Sequence, residues 1–163
     1  MDFLDRKYRH IFVDFDSTLY LWDNSPGRKP VDDIEWAARR LSNSEQNYDE
    51  RYLNVLLIEY LKQTHAQIHL TSWVDFSFEV KAKFDFIEEF YPNLLTDYIG
   101  TASTDAKIKL LKVYERLGNP KESMLLIDDN CNVVRPCRAA GYDVQEPQFI
   151  MGEILKCTNL QKL

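Results

Sequence analysis

Two aspartates one residue apart, Asp14 and Asp16, stand in the phrase Asp14-Phe15-Asp16-Ser17-Thr18-Leu19, directly after the apolar run His10-Ile11-Phe12-Val13. A carboxylate can attack, move a proton or hold a cation. A compact apolar run cut off by polar residues reads as a central parallel strand, and in open α/β sheets ligands bind beyond the carboxyl ends of such strands. The same residues also suit a solvated turn, because Asp and Ser favour turns through local hydrogen bonds. This segment alone leaves both readings open. Two more apolar stretches end in polar groups: Ile68-His69-Leu70 in the hydroxyls of Thr71 and Ser72, and Met124-Leu125-Leu126-Ile127 in the acids Asp128 and Asp129. Between them, Lys107 opens a helical pattern. Each has a plainer reading. Thr71 suits a strand as a β-branched residue, Lys107 suits an exposed helix face like Lys109 and Lys112, and an aspartate before a helix often caps it.

The elements that must position these groups alternate. A strand near 10–15 is followed by a polar, aromatic loop from Ser17 to Pro30. Val31, Ile34, Ala37, Ala38 and Leu41 then recur at helical spacing, and Tyr52, Val55, Leu56 and Tyr60 do so again after the loop at 42–47. A second strand is expected near 66–71, and a helix through Phe78, Phe84, Ile87 and Phe90 that stops at Pro92. A short strand near Tyr98-Ile99 precedes a helix over about 105–117 closed by Gly118. Strands near 124–128 and 142–145 complete the series. Such alternation predicts an α/β fold: a doubly wound, mainly parallel five-stranded sheet with helices on both faces. The 163 residues are expected to form one domain spanning 1–163, with 17–47 as a flap loop containing at most a minimal cap insert.

An acid pair, a hydroxyl, a lysine and a second acid pair, in that order and at element ends, resemble the four motifs of the haloacid dehalogenase superfamily. The resemblance runs from about Phe12 to Tyr142. It implies that the first and fourth strands lie side by side, so that Asp14, Asp16, Asp128 and Asp129 meet at one end of the sheet. Two like charges ~4 Å apart repel by about 4 kcal/mol at an effective dielectric near 20, so four such acids would either become partly protonated or require a cation. Oxygen-rich sites beside phosphate select Mg²⁺. By the same resemblance Asp14 is the nucleophile that forms an aspartyl-phosphate, and Asp16 is the acid and then the base. Thr18 would orient Asp16. Thr71, with Ser72 as runner-up, and Lys107 would bind phosphate. Mg²⁺ would be held by Asp14, by the Asp16 carbonyl and by Asp129, with Asp128 acting through water or by holding the site.

The function this implies is Mg²⁺-dependent hydrolysis of a phosphomonoester at an open site. There is room for only a helix and a strand between Thr71 and Lys107, so no large cap fits there. Tyr20, Trp22, Arg28 and Trp73 could line the entrance, since aromatics stack on bases and Arg grips phosphate, but Tyr20 and Trp22 could equally pack the loop down. Leu70-Thr71-Ser72 together with Leu126-Ile127-Asp128-Asp129 look similar to deoxynucleotidase motifs. This makes a nucleotidase or nucleic-acid-end phosphatase the first alternative. A noncatalytic interaction module with a retained site is the alternative of another class. A formal net charge of −6 argues against broad nonspecific nucleic-acid binding, while leaving a nucleotide, a small molecule or a phosphorylated macromolecular end as substrate. No apolar stretch suggests a signal peptide or membrane partner. Cys131, Cys137 and Cys157 have no metal-ligand spacing and suit a reducing cytoplasm. His10, His65 and His69 are read as structural, apart from any acid.

Overall fold

The computed structural model describes residues 8–21, 48, 50–74 and 77–160. Five strands among them, β1 (His10–Asp14), β2 (Gln67–Trp73), β3 (Asp97–Thr101), β4 (Met124–Ile127) and β5 (Asp143–Gln145), form one sheet in the order β3-β2-β1-β4-β5. Every pairing is parallel. The apolar runs read from the sequence are its central strands, buried on both faces as parallel strands must be. β1 lies between β2 and β4, with Asp14 level with Thr71 and Val13 level with Ile127. The three polar phrases therefore leave the sheet at its carboxyl end, next to one another.

Side chains alternate across the sheet, and each face has its own core. Ile11, Val13, Ile68, Leu70, Leu125 and Ile127 face α1 (Val55–Gln63), α2 (Ser77–Phe90) and α5 (Pro147–Leu160) through Leu57, Ile58, Leu61, Val80, Ile87 and Ile150. Phe12, Met124, Leu126 and Val144 face α3 (Thr104–Arg116) and α4 (Cys131–Ala139) through Leu111, Val133, Val134 and Cys137. The fold is the doubly wound α/β architecture expected. α3 ends as its sequence predicts: Gly118 takes φ 95°, while the Gly118 and Asn119 amides donate to the Glu115 and Tyr114 carbonyls.

Three expectations change. Tyr52 belongs to a short 3-10 turn at Glu50–Tyr52, and α1 starts after it, capped by the Asn54 side chain. A C-terminal helix, α5, adds Ile150 to the core. The histidines do meet an acid: His69 Nδ1 lies 2.7 Å from Asp97 Oδ1, and His69 Nε2 lies 3.0 Å from His10 Nδ1. His10 Nε2 continues the chain to Asn119 Oδ1 at 3.1 Å. Parallel register puts His69 level with Asp97, a pairing between distant segments that spacing along the chain does not reveal. The helix expected over 31–42, with the rest of the loop from Trp22 to Asn47, lies outside the described residues apart from the position of Tyr48 just beyond it. No helix among the described residues is long and apolar enough to cross a membrane.

Candidate active site

The loop after β1 is a tight turn. Tyr20 N donates to Phe15 O at 2.8 Å and Ser17 N to Tyr20 O at 2.8 Å, with Ser17 at φ 58°. A positive φ at serine is uncommon and needs surrounding structure to hold it. Asn54 provides part of that support. Its amide group donates to Thr18 O at 2.9 Å and its backbone N–H to Leu19 O at 2.8 Å, tying the turn to the start of α1. Phe15 and Tyr20 stack with ring centroids 5.4 Å apart inside the core. The turn thus sends the two aspartates to different neighbours.

Asp14 joins the α3 side. Lys107 Nζ donates to Asp14 Oδ1 at 2.5 Å and to Asp128 Oδ2 at 2.6 Å, and all three side chains are buried. Lys109 and Lys112 are exposed, so Lys107 alone of the three reaches the acids. The other Asp128 oxygen accepts from Asn130 N at 2.9 Å, so both oxygens of this carboxylate are engaged. Asp129 reaches solvent and holds one long contact, accepting from Thr18 Oγ1 at 3.4 Å. One carboxylate oxygen each from Asp14, Asp128 and Asp129 can be chosen so that all lie within 4.8 Å of one another.

The electrostatics follow from crowding acids where water is scarce. Burial pushes the Asp14 carboxyl up to about 7, against the pull of Lys107 and with the repulsion of Asp128 and Asp16 adding to it. Burial, then Asp128, likewise raises Asp129. Burial alone would depress the Lys107 ammonium, but Asp14 and Asp128 outweigh it and hold Lys107 above the ordinary lysine value. Three acids against one cation leave this side short of positive charge. Close-set carboxylate oxygens of this kind suit a hard divalent cation.

Asp16 turns to the α2 side. Its Oδ2 accepts from Lys83 Nζ at 2.5 Å and from Ser72 Oγ at 3.5 Å, while Lys83 also donates to Ser72 Oγ at 2.7 Å. The Lys83 ammonium lies 5.2 Å from the Phe15 ring centroid, and its side chain is buried. Asp16 Oδ1 is buried with no hydrogen-bond partner among the described residues. Sequence reasoning missed Lys83. Its signal was present, since Val80, Lys83, Phe84 and Ile87 follow the i, i+3, i+4, i+7 spacing of an inward helix stripe. A lysine on such a stripe needs a partner.

The other expected residues divide. Thr71 stands beside Asp14 in the sheet, fully buried, with its hydroxyl on Val13 O at a long 3.4 Å. Thr18 touches Asp129 and not Asp16, because the turn at Ser17 carries the two side chains apart. Tyr20 does not line an entrance: it is 3% exposed and packs against Phe15, Tyr48, Tyr52 and Phe86, as the loop-packing reading has it. Trp73 is half exposed at the end of β2. Trp22 and Arg28 lie outside the described residues. Among the described residues, only α2 and β3 stand between β2 and α3, as expected for a site without a large cap there.

No family model matches the chain, and no curated protein matches it. Among solved structures it is similar to a haloacid dehalogenase-like hydrolase from Bacteroides fragilis, at TM-score 0.52 and 19% identity over 85% of this chain and 86% of the other. A protein from Corynebacterium glutamicum aligns at TM-score 0.47 and 15% identity over 95% and 96%. The N-terminal part of another Bacteroides fragilis protein, containing a phosphatase domain and complexed with Mg, aligns at TM-score 0.41 and 14% identity over 88% and 36%. The first likeness shows the fold: this chain has the haloacid dehalogenase-like architecture.

Proposed function

We propose that the protein hydrolyses phosphate monoesters through an aspartyl-phosphate on Asp14. The observation that carries this reading is the buried Asp14 carboxylate, bonded to Lys107 and clustered with Asp128 and Asp129 at the carboxyl end of the sheet. In the first step an Asp14 oxygen bonds to phosphorus, the bond from phosphorus to the ester oxygen breaks, and Asp16 gives that oxygen a proton. In the second, water attacks phosphorus, passes its proton to Asp16, and frees Asp14 and inorganic phosphate. Lys107 balances charge on the transferring phosphoryl group. Thr71, level with Asp14, offers a hydroxyl whose bond to Val13 O is long enough to exchange for phosphate.

The donor set fits Mg²⁺. Asp14 and Asp129 would hold it directly, with the backbone carbonyl of Asp16, because Asp128 already has both oxygens engaged by Lys107 and Asn130. When bound, the ion neutralises charge on the phosphate and polarises its oxygens. The substrate is a phosphorylated small molecule, nucleotide or macromolecular end reached through an open site, in a single domain acting in the cytoplasm.

Hydrolysis of p-nitrophenyl phosphate with added Mg²⁺ tests the reading. We expect turnover that EDTA removes and Mg²⁺ restores, with transient labelling of Asp14. A protein that binds Mg²⁺ but hydrolyses no phosphate ester of a broad panel would leave only the noncatalytic interaction module.

A further inference from the structure

Lys83 is a buried cation on the inward stripe of α2, among Val80, Phe84 and Ile87, where an aliphatic residue would pack without desolvating a charge. Buried ion pairs are weak contributors to stability when compared with hydrophobic replacements, so stability alone gives little reason for a lysine here. Every hydrogen bond that its ammonium makes lies at the proposed site: Asp16 Oδ2 at 2.5 Å and Ser72 Oγ at 2.7 Å. The Ser72 hydroxyl, with a single proton to give, lies 3.5 Å from the same Asp16 oxygen and 3.4 Å from Trp73 O. Lys83 is the close donor to Oδ2, while Oδ1, which is buried, has none among the described residues. A carboxylate free at both oxygens could rotate about its side-chain torsions. This one is held at Oδ2.

We propose that Lys83 is the positioning residue for Asp16: it holds Oδ2, and so fixes the direction of the carboxyl group that exchanges protons with the leaving group and with water. The assignment rests on the phosphatase reading above, and it extends the machinery to a helix outside the four motif segments. Lys83 touches no reacting atom in this scheme. Its work is to fix the direction of a group that does.

A double-mutant cycle tests it, with steady-state and single-turnover hydrolysis measured on aryl phosphates of graded leaving-group acidity and on an alkyl phosphate. We expect Lys83→Met to lower kcat by about 10- to 100-fold, the scale on which misplacing a catalytic group acts. The loss should be greatest for leaving groups that most need a proton. KM and Mg²⁺ affinity should stay within about twofold, since neither phosphate nor metal is held by Lys83, and Lys83→Arg should recover part of the rate. In an Asp16→Asn background, Lys83→Met should cause no further loss. Equal losses in both backgrounds would overturn the proposal, as would a rise in KM with kcat unchanged, which would make Lys83 a phosphate ligand. Thermal unfolding accompanies every variant. Should Lys83→Met fail to fold, Ser72→Ala and Lys83→Arg run the same cycle, with the same non-additivity expected. Absence of hydrolysis by the wild-type protein would take down the phosphatase reading and this proposal together. Active wild-type protein with additive variants takes down this proposal alone.

Discussion

Each end of the sheet holds a polar chain, and the two differ. At the amino end, Asn119, His10, His69 and Asp97 form a line in which each ring nitrogen lies within 3.1 Å of a polar atom, three contacts that need one proton more than two neutral imidazoles carry, and Phe12 and Tyr114 wall it. At the carboxyl end, four acids meet two lysines, an oxygen of Asp16 is left over, and Asp129 opens to solvent. A network whose members pair with one another specifies structure, whereas unbalanced charge held in place by rigid elements is a site that anticipates a ligand. Burial of polar groups therefore says little about function until their partners are counted.

Substitutions at the two ends should separate activity from stability. Asp14→Asn is expected to lower kcat roughly 10⁴-fold or more, the scale of removing a nucleophile, with the fold kept by circular dichroism. Near-normal turnover in that variant would remove the functional half of the contrast. Next in size, Asp129→Ala should weaken Mg²⁺ binding strongly by calorimetric titration. Asp128→Ala should instead destabilise the fold by leaving Lys107 with one acid fewer. Reversed outcomes would exchange the roles of the pair.

At the amino end, His69→Phe should cost about 1–3 kcal/mol in urea unfolding, because Asp97 and His10 each lose a partner, while kcat changes by less than about twofold. Loss of activity from a stably folded His69→Phe protein would show that the two ends are not independent.

A further effect is on pH dependence in the metal-free protein. The carboxyl of Asp14 is raised from 3.8 to about 7 on folding. The native state therefore holds this proton over a range where the unfolded chain has released it. The contribution is fully present below about pH 4 and is lost as pH rises through 7. Thermal unfolding in EDTA should record this decline, and Asp14→Asn should flatten it.

The sequence made the carboxyl end largely legible and the amino end hardly at all. Apolar runs that stop abruptly put Asp14, Thr71 and Asp128 at strand ends, while their meeting with one another and with Lys107 was implied by the resemblance to the haloacid dehalogenase motifs and not by spacing. The contacts of His69 with Asp97 and His10 depend on strand register between distant segments, and one sequence does not encode register in a readable pattern. The partner of Thr18 was misread because it turns on the left-handed backbone at Ser17, a residue that gives no glycine-like warning. Lys83 was legible and overlooked. It breaks an otherwise apolar helical stripe, and such a break marks either an error in the pattern or a buried pair.

α3 joins the two ends. Lys107 grips the acids at one end, and seven residues further along Tyr114 packs its ring against His10, Phe12 and His69 at the other. Seven residues are close to two turns and about 10 Å of helix. Inserting or deleting one residue between them would turn one end by about 100° relative to the other, so that only one grip could survive. This interval works as a ruler whose length descendants of the chain cannot edit, although they remain free to vary the exposed side chains, Lys109 and Lys112 among them, along its outer face.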